Sequence, residues 1–256
     1  MSATQLIDSH CHLDFEVFDD DRTQVLQRAK DNNISDIIIP GTQRTFWDRV
    51  RLLCESNPQL HACYGLHPYW LNRQKKQDIQ ALEKYIEAYR PVALGECGLD
   101  FRPSQIDKKT QLYFFEAQLA IAENKQLPVV IHSVKATETV IQTIKKFKNL
   151  KGMIHSYSGS SEQAKQLIAL NFLISVSASI TYDNAKKIKA VVKDIPLTSV
   201  LLETDAPDQP DQKHETKRNE PAYLINTLDV ISELREEQRE TIAKQTTLNA
   251  KALFNI

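Results

Sequence analysis

Pro128-Val129-Val130-Ile131-His132-Ser133 is followed, after an amphipathic stretch at 136–148, by Gly152-Met153-Ile154-His155-Ser156. Each unit is a short apolar, β-branched run that ends on a histidine and a serine. Strand, helix and strand in that order make a right-handed crossover, so the strands are parallel neighbours and their histidines stand side by side. Outward from this pair the alternation repeats. Strand-type runs occupy 5–8, 36–40, 61–65, 92–96, 128–132, 152–155, 172–176 and 199–203. Amphipathic stretches at 22–33, 44–56, 78–89, 107–124, 136–148, 162–170 and 184–193 separate them, and 221–234 and 236–254 complete an outer layer. In 107–124, Leu112, Phe115, Leu119 and Ala122 recur at three and four residues, marking one buried face. Ser160 with Gln163 has the spacing of a capping box. Eight such units predict a (β/α)8 barrel, and the 256 residues match one domain of that fold, 1–256.

In such a barrel every strand's carboxyl end opens on one face, where active sites are built. Five ligand-type motifs fall at those ends: His10-Cys11-His12, Glu96 in Gly95-Glu96-Cys97-Gly98, His132, His155 and Asp205 after Leu201-Leu202-Glu203-Thr204. Residues 10 and 12 share a side, so their imidazoles can grip one cation while Cys11 points away. A strand-end carboxylate such as Glu96 can bridge two cations; its alternative is an ion pair with Arg102. His132 and His155 are a natural pair for a second cation. Asp205 can join the first and accept the proton of a nucleophilic water. Glu203 is expected beneath the ligands or in a buried ion pair. His67, in Gly65-Leu66-His67-Pro68, lies outside the ligand count; it is expected to bind a phosphate oxygen or protonate a leaving group. His61 and His214 carry no such context and are expected to be structural or solvated. Four histidines and two carboxylates exceed what one tetrahedral cation needs, so the expectation is two divalent cations, with the nitrogen-rich set suiting Zn or Mn better than Mg.

Composition narrows the classes. With 32 basic and 33 acidic residues the net charge is −1, so no general attraction to polyanions is expected and a nucleic-acid substrate needs local cations or metals. Tyr69, Trp70 and Phe101 are possible base platforms. Cys11, Cys54, Cys63 and Cys97 show no paired spacing, and Met1-Ser2-Ala3-Thr4-Gln5 has no basic-then-apolar pattern. The expectation is a cytoplasmic protein with reduced thiols, no membrane span and no obligate protein partner.

As a set, His10-Cys11-His12-Leu13-Asp14, Gly65-Leu66-His67-Pro68, Gly95-Glu96-Cys97-Gly98-Leu99-Asp100, Ile131-His132-Ser133, His155-Ser156-Tyr157-Ser158-Gly159, Glu203-Thr204-Asp205-Ala206-Pro207 and Arg218-Asn219-Glu220-Pro221 resemble the TatD family of metal-dependent deoxyribonucleases, within it the bacterial YjjV-like branch. The resemblance implies a β/α barrel with two divalent cations that hydrolyses DNA phosphodiesters. Position by position, it implies one cation on His10, His12, Glu96 and Asp205 and the other on Glu96, His132 and His155. Where the family reads His-Ser-Arg, this chain has His132-Ser133-Val134-Lys135. Lys135 is expected to supply the charge for phosphate binding, as a point donor without the arginine fork. Two rivals remain: hydrolysis of a small-molecule ester, lactone, amide or phosphotriester on the same barrel, and a non-catalytic binding module.

Overall fold

The computed structural model describes residues 4–256; Met1, Ser2 and Ala3, on which part of the leader reading rests, lie outside the described residues. Eight parallel strands in sequential order form one sheet: β1 Leu6–Asp8, β2 Ile34–Gly41, β3 Leu60–Tyr64, β4 Ala93–Asp100, β5 Val129–Val134, β6 Gly152–Ile154, β7 Phe172–Val176 and β8 Val200–Leu202. Nine α-helices are described around it: α1 Arg22–Asp31, α2 Trp47–Glu55, α3 Gln77–Tyr89, α4 Lys108–Lys125, α5 Thr137–Ile144, α6 Ser161–Ala169, α7 Lys186–Asp194, α8 Leu224–Arg235 and α9 Arg239–Phe254. The last strand meets the first through loop backbone rather than a ladder. Ser9 N–H donates to Leu202 O at 2.9 Å, and Asp205 N–H to His10 O at 2.9 Å. Asp8 accepts from the Thr204 N–H at 3.0 Å and its hydroxyl at 2.5 Å. That seam joins the two segments that carry the outermost ligand candidates.

The barrel's inside is filled by one inward residue from each of seven strands, Ile7, Ile38, Cys63, Ala93, Val130, Met153 and Leu201, with the partly buried Leu173 of β7 packed against them. Ala250, Leu253 and Phe254 of α9 pack against this layer. The last helix, expected only in the outer ring, thus also closes the barrel's floor. A larger apolar layer lies between the sheet and the helices. The capping box forms as spaced, with Gln163 N–H on Ser160 Oγ at 3.2 Å and Ser160 N–H on Gln163 Oε1 at 3.1 Å.

Two departures from the expected elements bear on the site. β4 runs to Asp100, beyond the expected 92–96, and its register slips between Leu94 and Cys97. This bulge sets Gly95 and Glu96 opposite a single residue of β5 and re-aims the Glu96 side chain into the barrel mouth. Gly95, in the bulge at φ +150°, has room for no Cβ, which would stand 2.7 Å from Val130 Cβ, and just beyond it, at Gly98 (φ +139°), a Cβ would stand 2.1 Å from His132 O. Second, α4 buries Gln111 and Gln118 on the face that carries Phe115, Leu119 and Ala122. Gln118 accepts from Leu66 N–H at 2.8 Å and donates to Leu66 O at 3.1 Å. Gln111 does the same for Asp100, at 2.7 Å each way. Two side-chain amides therefore satisfy backbone that no neighbouring strand reaches, beside His67 and at the end of β4.

Candidate metal centre

Glu96, buried in the mouth, points one carboxylate oxygen at each of two groups. Around Oε2 stand His10 Nε2 at 3.4 Å and His12 Nε2 at 3.5 Å. These nitrogens are 3.2 Å apart, and Asp205 Oδ1 lies 3.4 Å from His10 and 3.7 Å from His12. Around Oε1 stand His155 Nε2 at 2.9 Å and His132 Nδ1 at 3.1 Å, themselves 3.0 Å apart. Ligand atoms at about 2.0–2.1 Å from a tetrahedral cation are about 3.3 Å from one another. Both groups have that size. One proton can serve one edge of such a cluster, whereas a cation in its middle serves every edge, so the donor set fits metal.

The candidate ligands do not stand uniformly at strand ends. Glu96 and His132 lie within β4 and β5, His155 directly follows β6, and His10 and Asp205 lie beyond the last residues of β1 and β8. Asp205 reaches the site with a left-handed backbone, φ +59°. Gln209 donates from its amide to Asp205 Oδ2 and accepts from the hydroxyls of Ser156 at 2.7 Å and Ser177 at 2.8 Å. Asn219, fully buried, donates to the carbonyls of Thr204 at 2.9 Å and Asp208 at 2.8 Å, tying both ends of the segment that carries Asp205.

The remaining candidates divide. Arg102 pairs with Asp100 at 2.5 Å, which removes the alternative of an Arg102–Glu96 pair. Asp100 also faces His132 Nε2 at 3.4 Å, and Glu203 Oε1 faces His155 Nδ1 at 3.6 Å. Both carboxylates thereby stand behind the imidazoles, where the partners of metal-bound histidines sit, without a hydrogen bond to either ring. Glu203 is anchored in turn by Ser156 N–H at 2.5 Å and the Ser175 hydroxyl at 2.6 Å. Cys11 points out of the cluster, with Sγ 3.7 Å from Ala206 O. His67 enters it: Nε2 lies 3.1 Å from Glu96 Oε1. Its Nδ1 accepts from Tyr69 N–H at 3.0 Å, which puts the proton of the neutral ring on Nε2, facing Glu96. Lys135 is exposed at the rim with φ +53°. His61 binds Asp36 at 2.8 Å, and His214 stacks on Tyr223 with ring centroids 3.7 Å apart; both are structural.

Electrostatics ask for positive charge here. Burial would raise the Glu96 carboxyl, but His67, His155 and His10 outweigh it and hold it well below the usual range. Burial would lower His12, yet Glu96 and Asp205 push it up to about 9. His67, for which burial dominates, falls to about 4.

Gln209, Asn219, Asp100 and the two buried glutamines of α4 were missed in the sequence. A polar loop residue carries no periodic signal. The signals available were the positions of Asp100 in Gly95-Glu96-Cys97-Gly98-Leu99-Asp100 and of Asn219 in Arg218-Asn219-Glu220-Pro221, neither of which has ligand-type spacing.

Comparison with known proteins agrees with this geometry. The sequence model described as TatD related DNase matches residues 7–255. The uncharacterized metal-dependent hydrolase YabD of Bacillus subtilis is 36% identical over 98% of this chain and 99% of its own length. The crystal structure of YjjV, a TatD homolog from Escherichia coli, superposes with a TM-score of 0.92 at 34% identity, covering 98% of each chain. A protein named 3'-5' ssDNA/RNA exonuclease TatD, from Erwinia tasmaniensis, is 30% identical over 93% of this chain and 95% of its own. The chain belongs to the TatD-related DNase family, a family of metal-dependent hydrolases on a (β/α)8 barrel.

Proposed function

We propose that this protein is a nuclease that cleaves phosphodiester bonds of single-stranded DNA or RNA, with two divalent cations per chain and Glu96 between them. The observation that carries the reading is the division of one buried carboxylate between two ligand clusters of tetrahedral size. His10, His12, Glu96 and Asp205 would hold one cation, and Glu96, His132 and His155 the other; the nitrogen donors favour Zn or Mn over Mg. Bound there, the pair would acidify a shared water, polarise a phosphoryl oxygen and stabilise the leaving oxygen. Asp205, with Oδ1 turned to the first cluster, takes up the proton of the attacking water. His67 offers its Nε2–H to a phosphate oxygen. Its Nδ1 is committed to Tyr69 and burial lowers its pKa to about 4, so of the two roles expected of it, binding is supported over leaving-group protonation. Lys135, exposed beyond the end of β5, supplies a charge for the phosphate.

Relatives named for an activity support single-stranded nucleic acid, trimmed from the 3' end, over the small-molecule rival. The test is turnover of an end-labelled oligonucleotide beside a panel of lactones and carboxyl esters, on protein loaded with Zn or Mn. Shortening of the oligonucleotide is expected. Turnover of the small esters with the oligonucleotide left intact would overturn the reading.

A further inference from the structure

We propose that the groove between the 3-10 helix Pro68–Arg73 and the segment 101–106 binds the bases of a single-stranded nucleic acid, stacking them on Tyr69 and Trp70 beside the metal centre. The inference rests on the nuclease reading and adds a substrate site to it. Three observations converge. The groove has a volume of about 510 Å³, within the range of ligand clefts, with Tyr69, Trp70 and Arg73 on one wall and Ser104, Gln105 and Ile106 on the other. Each wall springs from the metal centre. His67 caps the helix and holds Tyr69 N–H at 3.0 Å, while Asp100, 3.4 Å from His132, grips Arg102 at the start of the other wall. The groove therefore opens within two residues of His67 on one wall and within four of Asp100 on the other.

The chemistry of the lining suits bases and phosphates together. Tyr69 is 49% exposed and meets Trp70 edge to face, with centroids 4.7 Å apart. Arg73 lies over the Trp70 ring at 4.7 Å and Lys108 over Phe101 at 4.5 Å, so two of the three aromatics come with a cation. Segments 67–76 and 100–109 carry Arg73, Lys75, Lys76, Arg102, Lys108 and Lys109 against two acids, Asp107 and Asp100, the second paired with Arg102, in a chain whose net charge is −1. The cationic excess that the composition as a whole lacks is gathered here. Exposed rings alternating with cations are how single strands are held irrespective of sequence. A duplex, its bases already stacked, offers these rings nothing.

The chain has two tryptophans, and Trp47 is buried at 2% exposure, so quenching by a soluble ligand reports on Trp70. Titrating the metal-loaded protein with a phosphorothioate octathymidylate should quench emission, and Trp70→Phe should abolish the quench. In kinetics, Trp70→Ala should raise KM for d(T)8 by about 5- to 100-fold, the scale of one lost stack, with Trp70→Phe keeping most of the affinity. The gap between wild type and Trp70→Ala should close on an oligomer with the same phosphates and abasic sugars. An equal gap on both oligomers, or none on d(T)8, would overturn the groove while leaving the nuclease reading intact. If neither oligomer is cleaved, the nuclease reading fails by itself, and quenching without Trp70 dependence sinks the groove independently.

Discussion

Asp205 divides its two oxygens between two tasks, Oδ1 facing His10 and His12 and Oδ2 held by the Gln209 amide. Asn at this position keeps size and one acceptor oxygen but cannot take a proton at neutral pH. Asp205→Asn should lower kcat by about 10²- to 10⁴-fold, the scale of a lost general base, with metal content falling far less than for His10→Ala. Near-normal turnover at saturating substrate and metal would refute the role. Gln209→Leu removes the donor that fixes Oδ2 and should lower kcat/KM by about 10- to 100-fold, as for other groups that orient ligands from behind. An unaltered kcat/KM with both metals present would return Gln209 to a loop-packing role. These two residues also mark what could be read from the sequence. Asp205 follows an apolar strand and declares itself as a ligand type. Gln209 sits in a polar loop, and its meaning arises only when Ser156, Ser177 and Asp205 meet around it.

At the level of elements, alternating periodicity was enough to locate all eight strands and the helices between them, because each buries a repeating face. Where an element's business is polar, periodicity fails. The bulge in β4 depends on a pairing slip that no single-strand pattern records. The buried glutamines of α4 read as ordinary polar positions within 107–124, yet they replace missing strand partners for Leu66 and Asp100. Gln118→Leu fills the space but leaves the Leu66 N–H and C=O unpaired, at about 1–3 kcal/mol for each group. The urea midpoint should fall accordingly, and KM should rise because Leu66 precedes His67. A midpoint within error of wild type would show that the amide bonds to Leu66 are dispensable.

Across the whole molecule, the segment after β8 is fastened to α1 and to Asp21 at its N-cap by two forked ion pairs, Arg28 on Glu220 at 2.8 and 2.6 Å and Arg218 on Asp21 at 2.8 and 2.7 Å. The Arg218 hydrogen bonds hold the Asp21 carboxyl below its ordinary value of 3.8. Its contribution to stability is therefore complete above 3.8 and is lost as pH falls through the lower folded value. The Tm difference between wild type and Asp21→Asn should hold steady near neutrality and shrink in strong acid. A difference that grows on acidification would reverse the sign and exclude this account. That fastening matters because the same segment carries Asn219, and Asn219 holds the loop of Asp205 in place.

The central claim is that one carboxylate joins two metal sites, and anomalous diffraction from crystals of the Zn- or Mn-loaded protein measures it directly. Two peaks about 3.5–4 Å apart are predicted, one among His10, His12 and Asp205, the other beside His132 and His155, with Glu96 between them. A single fully occupied peak at saturating metal, or two peaks neither of which touches Glu96, would contradict it.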